Sequence, residues 1–151
     1  MALRIGVIGA GSCGKEIEAA AESIGRWIGE KGHVLVCGGL GGVMEAAARG
    51  AKSGGGVTLG ILPGCDAREA NPYIDYPIVT GMSHARNAVI AWTSDLLVAV
   101  SGEYGTLSEM ALGLKMGRSV IAYRSRWKGM EGVVDVETLE EALEAMEKFS
   151  D

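Results

Sequence analysis

The chain has 151 residues, of which 48% are hydrophobic and 22% charged, as expected for one compact domain rather than a disordered segment. Its formal net charge of −5 and its lack of an aromatic and basic stripe argue against nucleic acid as the main partner, although one pocket for a single nucleotide is compatible with them. Three cysteines without CxxC spacing, with no leader and no long apolar segment, predict a cytoplasmic protein with no membrane contact.

Short apolar runs alternate with segments of helical periodicity from one end of the chain to the other. Strands are predicted at 3–8, 33–37, 57–62, 77–80, 96–100 and 119–123. Helices are predicted at about 15–30, 43–53, 84–94 and 107–116, with a last helix that begins after a capping box at 138–141. Residues 65–76 are predicted to form a loop and residues 124–136 to be irregular.

This alternation predicts βαβ units and therefore an α/β fold. We expect a three-layer, doubly wound, mainly parallel sheet of the Rossmann-like type, with helices on both faces and residues 1–151 in one domain. Glycine-rich turns follow the first, second and fifth strands. Because the carboxyl ends of parallel strands meet at one edge of a sheet, the sequence predicts a single pocket there.

The fifth strand leads through Ser101-Gly102-Glu103-Tyr104-Gly105-Thr106 into a helix. The unpaired N–H groups and the dipole at the start of such a helix attract an anion. Thr106 is predicted to cap the helix or to bind the same anion, and Glu109 to lie in the first turn. The alternative is a tight turn in which Glu109 only complements the helix dipole.

The first turn, Gly9-x-Gly11-x-x-Gly14, matches the dinucleotide-binding fingerprint in position. The acidic residue that would hold the ribose about 20 residues later is missing, since the second strand ends in Cys37-Gly38-Gly39, which argues against a dehydrogenase. Glu16 occupies the place of the Walker A hydroxyl and argues against an ATPase loop. The turn can still contact a phosphate or ribose through Gly11 and Ser12.

Arg86 is predicted in the first turn of a helix, where a cation opposes the dipole and local stability does not favour it. Arginine is suited to bidentate recognition of phosphate or carboxylate. The alternative is a surface arginine that pairs with a neighbouring glutamate. His33 and His84 have no ligand-spaced partners, so no metal site is predicted.

Four ordered motifs resemble the superfamily of the LONELY GUY cytokinin-activating phosphoribohydrolases, proteins formerly labelled lysine decarboxylases, and most of all its small branch with the molybdenum cofactor carrier proteins. The motifs are the Cys37–Ala51 segment, Gly60-Ile-Leu-Pro63, Met82-x-x-x-Arg86-Asn87 and Gly102-x-x-Gly105-Thr-x-x-Glu109. The resemblance covers roughly 5–123. It implies a homodimer or homotetramer, and we expect Trp92 to contribute to an apolar interface. A lysine decarboxylase activity is not expected.

The resemblance implies that Arg86 and Glu109 are the catalytic residues of a phosphoribohydrolase, and that Gly102, Gly105 and Thr106 hold the 5′-phosphate. The turns and motifs together predict a ligand-binding set. That set is Gly11, Ser12, Gly38, Gly39, Gly42, Met44, Glu45, Asn87, Gly102, Glu103, Gly105 and Thr106.

Three positions depart from the hydrolase signature: Ser101 replaces proline, Glu103 replaces glycine and Asn87 replaces lysine. A carboxylate beside the anion site and the loss of a cation weaken the case for turnover, and Arg86-Asn87 resembles the carrier branch. The sequence therefore favours a binding or carrier protein for a phosphorylated, nucleotide-like molecule. A bound nucleotide or molybdopterin-type ligand is expected, with no cofactor required. The alternative is a nucleoside 5′-monophosphate phosphoribohydrolase that uses Arg86 and Glu109.

Overall fold

The computed structural model describes all residues, 1–151, and places a seven-stranded sheet between two layers of helices. The strands are β1 (Arg4–Gly9), β2 (Val34–Cys37), β3 (Val57–Leu62), β4 (Tyr76–Val79), β5 (Leu96–Val100), β6 (Ser119–Tyr123) and β7 (Val133–Val136). The α-helices are α1 (Lys15–Glu30), α2 (Val43–Ser53), α3 (Arg86–Thr93), α4 (Tyr104–Lys115) and α5 (Leu139–Ser150), with 3₁₀ turns at Ala67–Glu69 and Ser83–Ala85. The predicted three-layer, doubly wound α/β fold is confirmed.

All neighbouring strands are parallel, and their order in the sheet is β4-β3-β2-β1-β5-β6-β7. The chain builds outward from β1 to β4, then returns to place β5 on the other side of β1. The carboxyl ends of the neighbouring strands β1 and β5 therefore form the topological switch point, which is where doubly wound sheets bind ligands.

The prediction that residues 124–136 are irregular is wrong at their end, because Val133–Val136 form β7 and pair with β6. Val134 and Asp135 are exposed on this edge strand. A half-exposed edge strand of four residues lacks the continuous apolar run by which buried strands are recognised in a sequence.

The two faces of the sheet carry separate apolar cores. Helices α1, α2 and α5 cover one face, where Ile5, Val7 and Leu35 point, while Ile90 of α3 and Met110 of α4 belong to the core of the other face. The N-cap half of the predicted capping box before α5 is present, since Thr138 Oγ1 accepts a hydrogen bond from the backbone N–H of Glu141 at 3.2 Å, while the Glu141 carboxylate accepts one from the Thr138 hydroxyl. None of the helices combines the length and the apolarity needed to cross a membrane.

Glycines of α1 and α2 face each other where the two helices meet. A Cβ added at Gly50 would lie 1.9 Å from the carbonyl oxygen of Glu22, and one added at Gly25 would lie 2.0 Å from that of Ala47. The two helices therefore meet backbone against backbone, which only glycine allows at these positions.

Two helix starts differ from the prediction. The helix predicted at about 84–94 begins at Arg86, since Ser83, with a φ of 53°, opens a 3₁₀ turn that precedes it. Helix α4 begins at Tyr104 rather than Leu107, because Ser101 and Gly102, with φ values of 54° and 108°, reverse the chain early. Thr106 therefore lies inside the first turn of α4 and is not its cap.

Candidate functional site

A cavity of about 270 Å³ opens at the switch point, above the carboxyl ends of β1 and β5. This is close to the lower end of the size range of small-molecule sites, about 300–1,000 Å³. Two of its eleven lining residues are hydrophobic, and the lining comes from the turn after β1, the 3₁₀ turn at Ser83–Ala85 and the beginnings of α2, α3 and α4. The lining residues are Gly9, Ala10, Gly11, Met44, His84, Arg86, Asn87, Glu103, Gly105, Thr106 and Glu109.

Arg86 is the buried cation of this cavity. Only 9% of its surface is exposed, its Nε atom is buried without a hydrogen-bond partner, and it makes no ion pair. Its Nη1 donates a hydrogen bond to the side-chain carbonyl of Asn87. Burial lowers the pKa of the guanidinium more than the charge of Glu109 raises it. The alternative of a surface arginine paired with a glutamate is therefore excluded by the structure.

Glu109 lies in the second turn of α4, one turn later than predicted, and is 7% exposed. Burial raises the pKa of its carboxyl from 4.5 to about 7, against the opposing effect of the nearby Arg86. The two groups influence each other but lie farther apart than an ion pair. Near neutral pH the carboxyl is thus only partly ionised, so it does not neutralise Arg86 fully.

Cys37, at the end of β2, lies beneath the two charged groups. Its thiol is fully buried, and burial raises its pKa to about 11, although the charge of Arg86 lowers it. The thiol is therefore neutral at physiological pH. It supplies no charge to Arg86 and no nucleophile to the cavity.

The first turn of α4 presents three backbone N–H groups, those of Tyr104, Gly105 and Thr106, that form no hydrogen bond within the protein. Gly105 is exposed at the cavity and a Cβ there would meet nothing within 4 Å, while the side chain of Thr106 is buried. Free N–H groups at a helix N-terminus form an anion site.

Glu103, the N-terminal capping residue of α4, places a carboxylate beside this anion site, where its charge would repel an anion. Its side chain lines the cavity and forms an ion pair with Arg126 from the loop between β6 and β7. Arg126 lies 23 residues away in the chain, so no local pattern in the sequence reveals this pairing. The negative charge of Glu103 is therefore compensated in the folded protein.

The predicted glycines divide into two groups. Gly11 and Gly105 line the cavity, whereas Gly39, Gly42 and Gly102 have positive φ values and shape the turns around it. A Cβ at Gly42 would lie 2.3 Å from the carbonyl oxygen of Ala10, and one at Gly102 would lie 2.3 Å from Thr106 Oγ1. These three glycines allow two turns to approach each other and α4 to begin early.

Gly38 has a different place, directly beneath the arginine. A Cβ there would lie 2.7 Å from Arg86 Nη2 and 2.6 Å from Met44 Sδ. Gly38 thus leaves the space that the guanidinium occupies. Among the other predicted residues, Met44 and Asn87 line the cavity, while Ser12 and Glu45 do not.

His84 is a lining residue that the sequence reasoning did not include in the site. The 3₁₀ turn that carries it is set by Ser83, whose positive φ is sparsely populated for residues other than glycine. No spacing of metal ligands in the sequence selects His84. The fold likewise groups no three His, Cys, Asp or Glu side chains that could hold a metal ion.

Two relatives in sequence bear on the site. A protein of Archaeoglobus fulgidus, described as an uncharacterized protein, is 49% identical over 141 residues, which are 93% of this chain and 92% of that one. A probable cytokinin riboside 5′-monophosphate phosphoribohydrolase, LOGL5 of Oryza sativa subsp. japonica, is 35% identical over 96 residues. That match covers 62% of this chain and 39% of the rice protein.

Solved structures with the same fold include the molybdenum cofactor binding protein of Rippkaea orientalis, with a TM-score of 0.89 and 31% identity over 100% of this chain and 99% of that one. The molybdenum cofactor carrier protein of Chlamydomonas reinhardtii matches with a TM-score of 0.89 and 32% identity, over 98% of each chain. The model of the SLOG cluster4 family matches residues 2–149. The chain is a LONELY GUY-like Rossmann superfamily member and belongs to the SLOG cluster4 family.

Proposed function

We propose that this protein binds a phosphorylated, nucleotide-like small molecule at the cavity above β1 and β5, and acts as a binding or carrier protein. One observation carries the proposal: the buried guanidinium of Arg86 has no ion-pair partner and faces a cavity lined by polar groups. A buried charge without a partner costs several kcal/mol or more, on the order expected from desolvation. An anionic ligand offsets this cost.

The free N–H groups of Tyr104, Gly105 and Thr106 extend the same anion site. Backbone N–H groups at a helix N-terminus bind phosphate oxygens, and a guanidinium binds them through two parallel hydrogen bonds, so the combination favours a phosphoryl group over a halide. The cavity volume of about 270 Å³ suits a ligand of roughly mononucleotide size or part of a larger one.

The similar solved structures support a carrier role by their own ligands. They are a molybdenum cofactor binding protein and a molybdenum cofactor carrier protein. By this likeness a molybdopterin-type molecule is one candidate cargo for this chain, and a nucleotide is the other. We expect the ligand to bind without chemical change in either case.

A phosphoribohydrolase is the second candidate, and the Glu109 carboxyl favours it. A carboxyl with a pKa of about 7 beside a bound ribose can stabilise an oxocarbenium-like centre or orient water for attack on the anomeric carbon. Arg86 would then hold the phosphate or polarise the ribose hydroxyls. The similarity to LOGL5, a probable phosphoribohydrolase, supports this reading over part of the chain.

The deciding experiment incubates the pure protein with a panel of nucleoside 5′-monophosphates. Binding is measured by calorimetry, and free base is sought by chromatography. Saturable binding without base release supports the carrier, and base release that disappears in Glu109→Gln while binding persists supports the hydrolase. Arg86→Met should abolish binding in both cases. If the protein shows neither binding nor base release with these nucleotides or with a pterin phosphate, the proposed function is rejected.

A further inference from the structure

Four residues form a cluster at the mouth of the cavity: Glu103, Tyr104, Arg126 and Trp127, which we name the mouth cluster. Glu103 lines the cavity and pairs with Arg126. The Arg126 guanidinium carbon lies 5.3 Å from the centre of the Trp127 ring. The ring of Tyr104 in turn lies 5.3 Å from that of Trp127, with 42° between the ring planes.

The loop that carries Arg126 is held by bonds that do not involve Glu103. The backbone N–H of Arg124, which has a φ of 48°, donates to the carbonyl oxygen of Val136 at 2.9 Å. The hydroxyl of the buried Ser125 accepts a hydrogen bond from the backbone N–H of Trp127 at 2.9 Å. These bonds hold the backbone on either side of Arg126 independently of its ion pair with Glu103.

The ion pair itself exchanges easily. The side chains of Arg126 and Glu103 are 57% and 66% exposed, and exposed ion pairs contribute only about 0–1 kcal/mol. The aromatic face of Trp127 holds the guanidinium from a second side. A phosphate group that reaches the mouth can thus replace the Glu103 carboxylate at Arg126, and arginine binds phosphate through two parallel hydrogen bonds.

We propose that Arg126 is a specificity-determining residue that binds a second anionic group of the ligand at the mouth of the cavity, so that the pocket prefers a diphosphate to a monophosphate. Glu103 pairs with the guanidinium of Arg126 when no ligand is present and competes with the second anionic group for it. The inference rests on the proposed function, since the first phosphate is the one placed at Arg86 and the start of α4.

The test compares nucleoside 5′-diphosphates with the corresponding monophosphates by calorimetry, in the wild type and in Arg126→Met. We expect Arg126→Met to weaken diphosphate binding about tenfold and monophosphate binding about threefold or less. The matched control is Lys128→Met, which removes a cation of the same loop that pairs with Glu137 rather than with a cavity residue. It should change neither affinity.

Glu103→Gln is expected to change diphosphate affinity in the opposite direction to Arg126→Met. If Glu103 competes with the ligand for Arg126, this variant binds diphosphates more tightly, and the gain shrinks when Arg126 is already Met. The inference is overturned if Arg126→Met and Lys128→Met bind diphosphates equally well, or if Arg126→Met weakens the binding of mono- and diphosphates equally. In either case the proposed function still holds if binding depends on Arg86. A wild type that binds no mono- or diphosphate would overturn both.

Discussion

Glycine is abundant in two regions of this protein and has opposite effects in them. Between α1 and α2, glycines bring one helix backbone against another: a Cβ at Gly50 would lie 1.9 Å from a carbonyl oxygen of α1. At the cavity, a Cβ at Gly105 would meet no atom within 4 Å. The first region is closed by contact between two backbones, and the second is open and contains a buried cation that forms no ion pair.

The comparison shows how structural glycines differ from functional ones. A glycine whose Cβ would collide with backbone is required by packing, because backbone cannot move aside. A glycine beside empty space could carry a side chain without a collision, so packing does not require it, and the proposed function assigns it to ligand access. Gly38 is intermediate, because its neighbours are the ends of two flexible side chains.

The largest expected effect breaks the helix interface. Gly50→Ala forces the new methyl group against the Glu22 carbonyl oxygen, and the helices must separate. We expect a loss of about 3 kcal/mol or more in the free energy of unfolding, at the upper end of the cost of overpacking. Urea denaturation measures it. Gly105→Ala, also in a helix but next to open space, is the control and should change stability by about 1 kcal/mol or less.

Glu109→Gln is expected to stabilise the protein, because the cavity holds a carboxyl that is costly to ionise. The pKa of the Glu109 carboxyl is about 7 in the folded state and 4.5 ordinarily, so the folded state binds this proton more tightly than the unfolded state. The stability that this proton provides is fully present below pH 4.5 and is lost as pH rises through about 7. At pH 8 the variant should gain up to about 3 kcal/mol, at 1.36 kcal/mol per pKa unit.

Urea denaturation at pH 4.5 and pH 8 measures this difference. The gap between Glu109→Gln and the wild type should widen toward pH 8. Glu45→Gln, a change at a carboxylate that does not line the cavity, is the control. An equal gap at both pH values would show that burial of Glu109 does not govern its ionisation.

Gly105→Asp adds a carboxylate to the open side of the anion site without a steric clash. Like charges about 4 Å apart repel by about 1 kcal/mol in water and about 4 kcal/mol near a protein surface, so nucleotide affinity should fall about tenfold or more. Gly105→Asn has nearly the same shape and no charge. If both variants bind a nucleoside monophosphate as the wild type does, the phosphate lies elsewhere.

Gly38→Ala is expected to have the smallest effect. It tests a glycine whose neighbours are flexible side chains rather than backbone or open space. The new methyl group displaces Arg86 Nη2 and Met44 Sδ rather than backbone. Ligand affinity should fall by about 1 kcal/mol, or about fivefold, with a similarly small loss of stability. Calorimetry and urea denaturation on the same sample separate the two. A loss of stability as large as that of Gly50→Ala would show that the arginine cannot move.

Most elements of the fold follow from local patterns. Helix α1 and strands β3, β5 and β6 have the predicted bounds, because each carries its apolar periodicity over its whole length. The start of α4 was missed because a serine in the left-handed region precedes Gly102 and starts the helix three residues early. Propensity does not anticipate a left-handed serine.

The site shows the same division. Arg86, Asn87, Glu103, Gly105 and Glu109 were predicted as site residues, and the fold brings them to one cavity. Ser12 and Glu45 were predicted as site residues as well, and neither is among the residues that line the cavity. His84 was missed because its position depends on a turn rather than on a motif.

The sequence by itself determined the order of strands and helices, the parallel sheet and the edge at which the cavity opens, since these depend on periodicity and on glycines at strand ends. Only the tertiary structure decided which charges meet. It buried Arg86 without a counter-ion, raised the pKa of Glu109 and paired Glu103 with Arg126. Burial and pairing between distant residues depend on what other segments cover a side chain, and no local pattern records that.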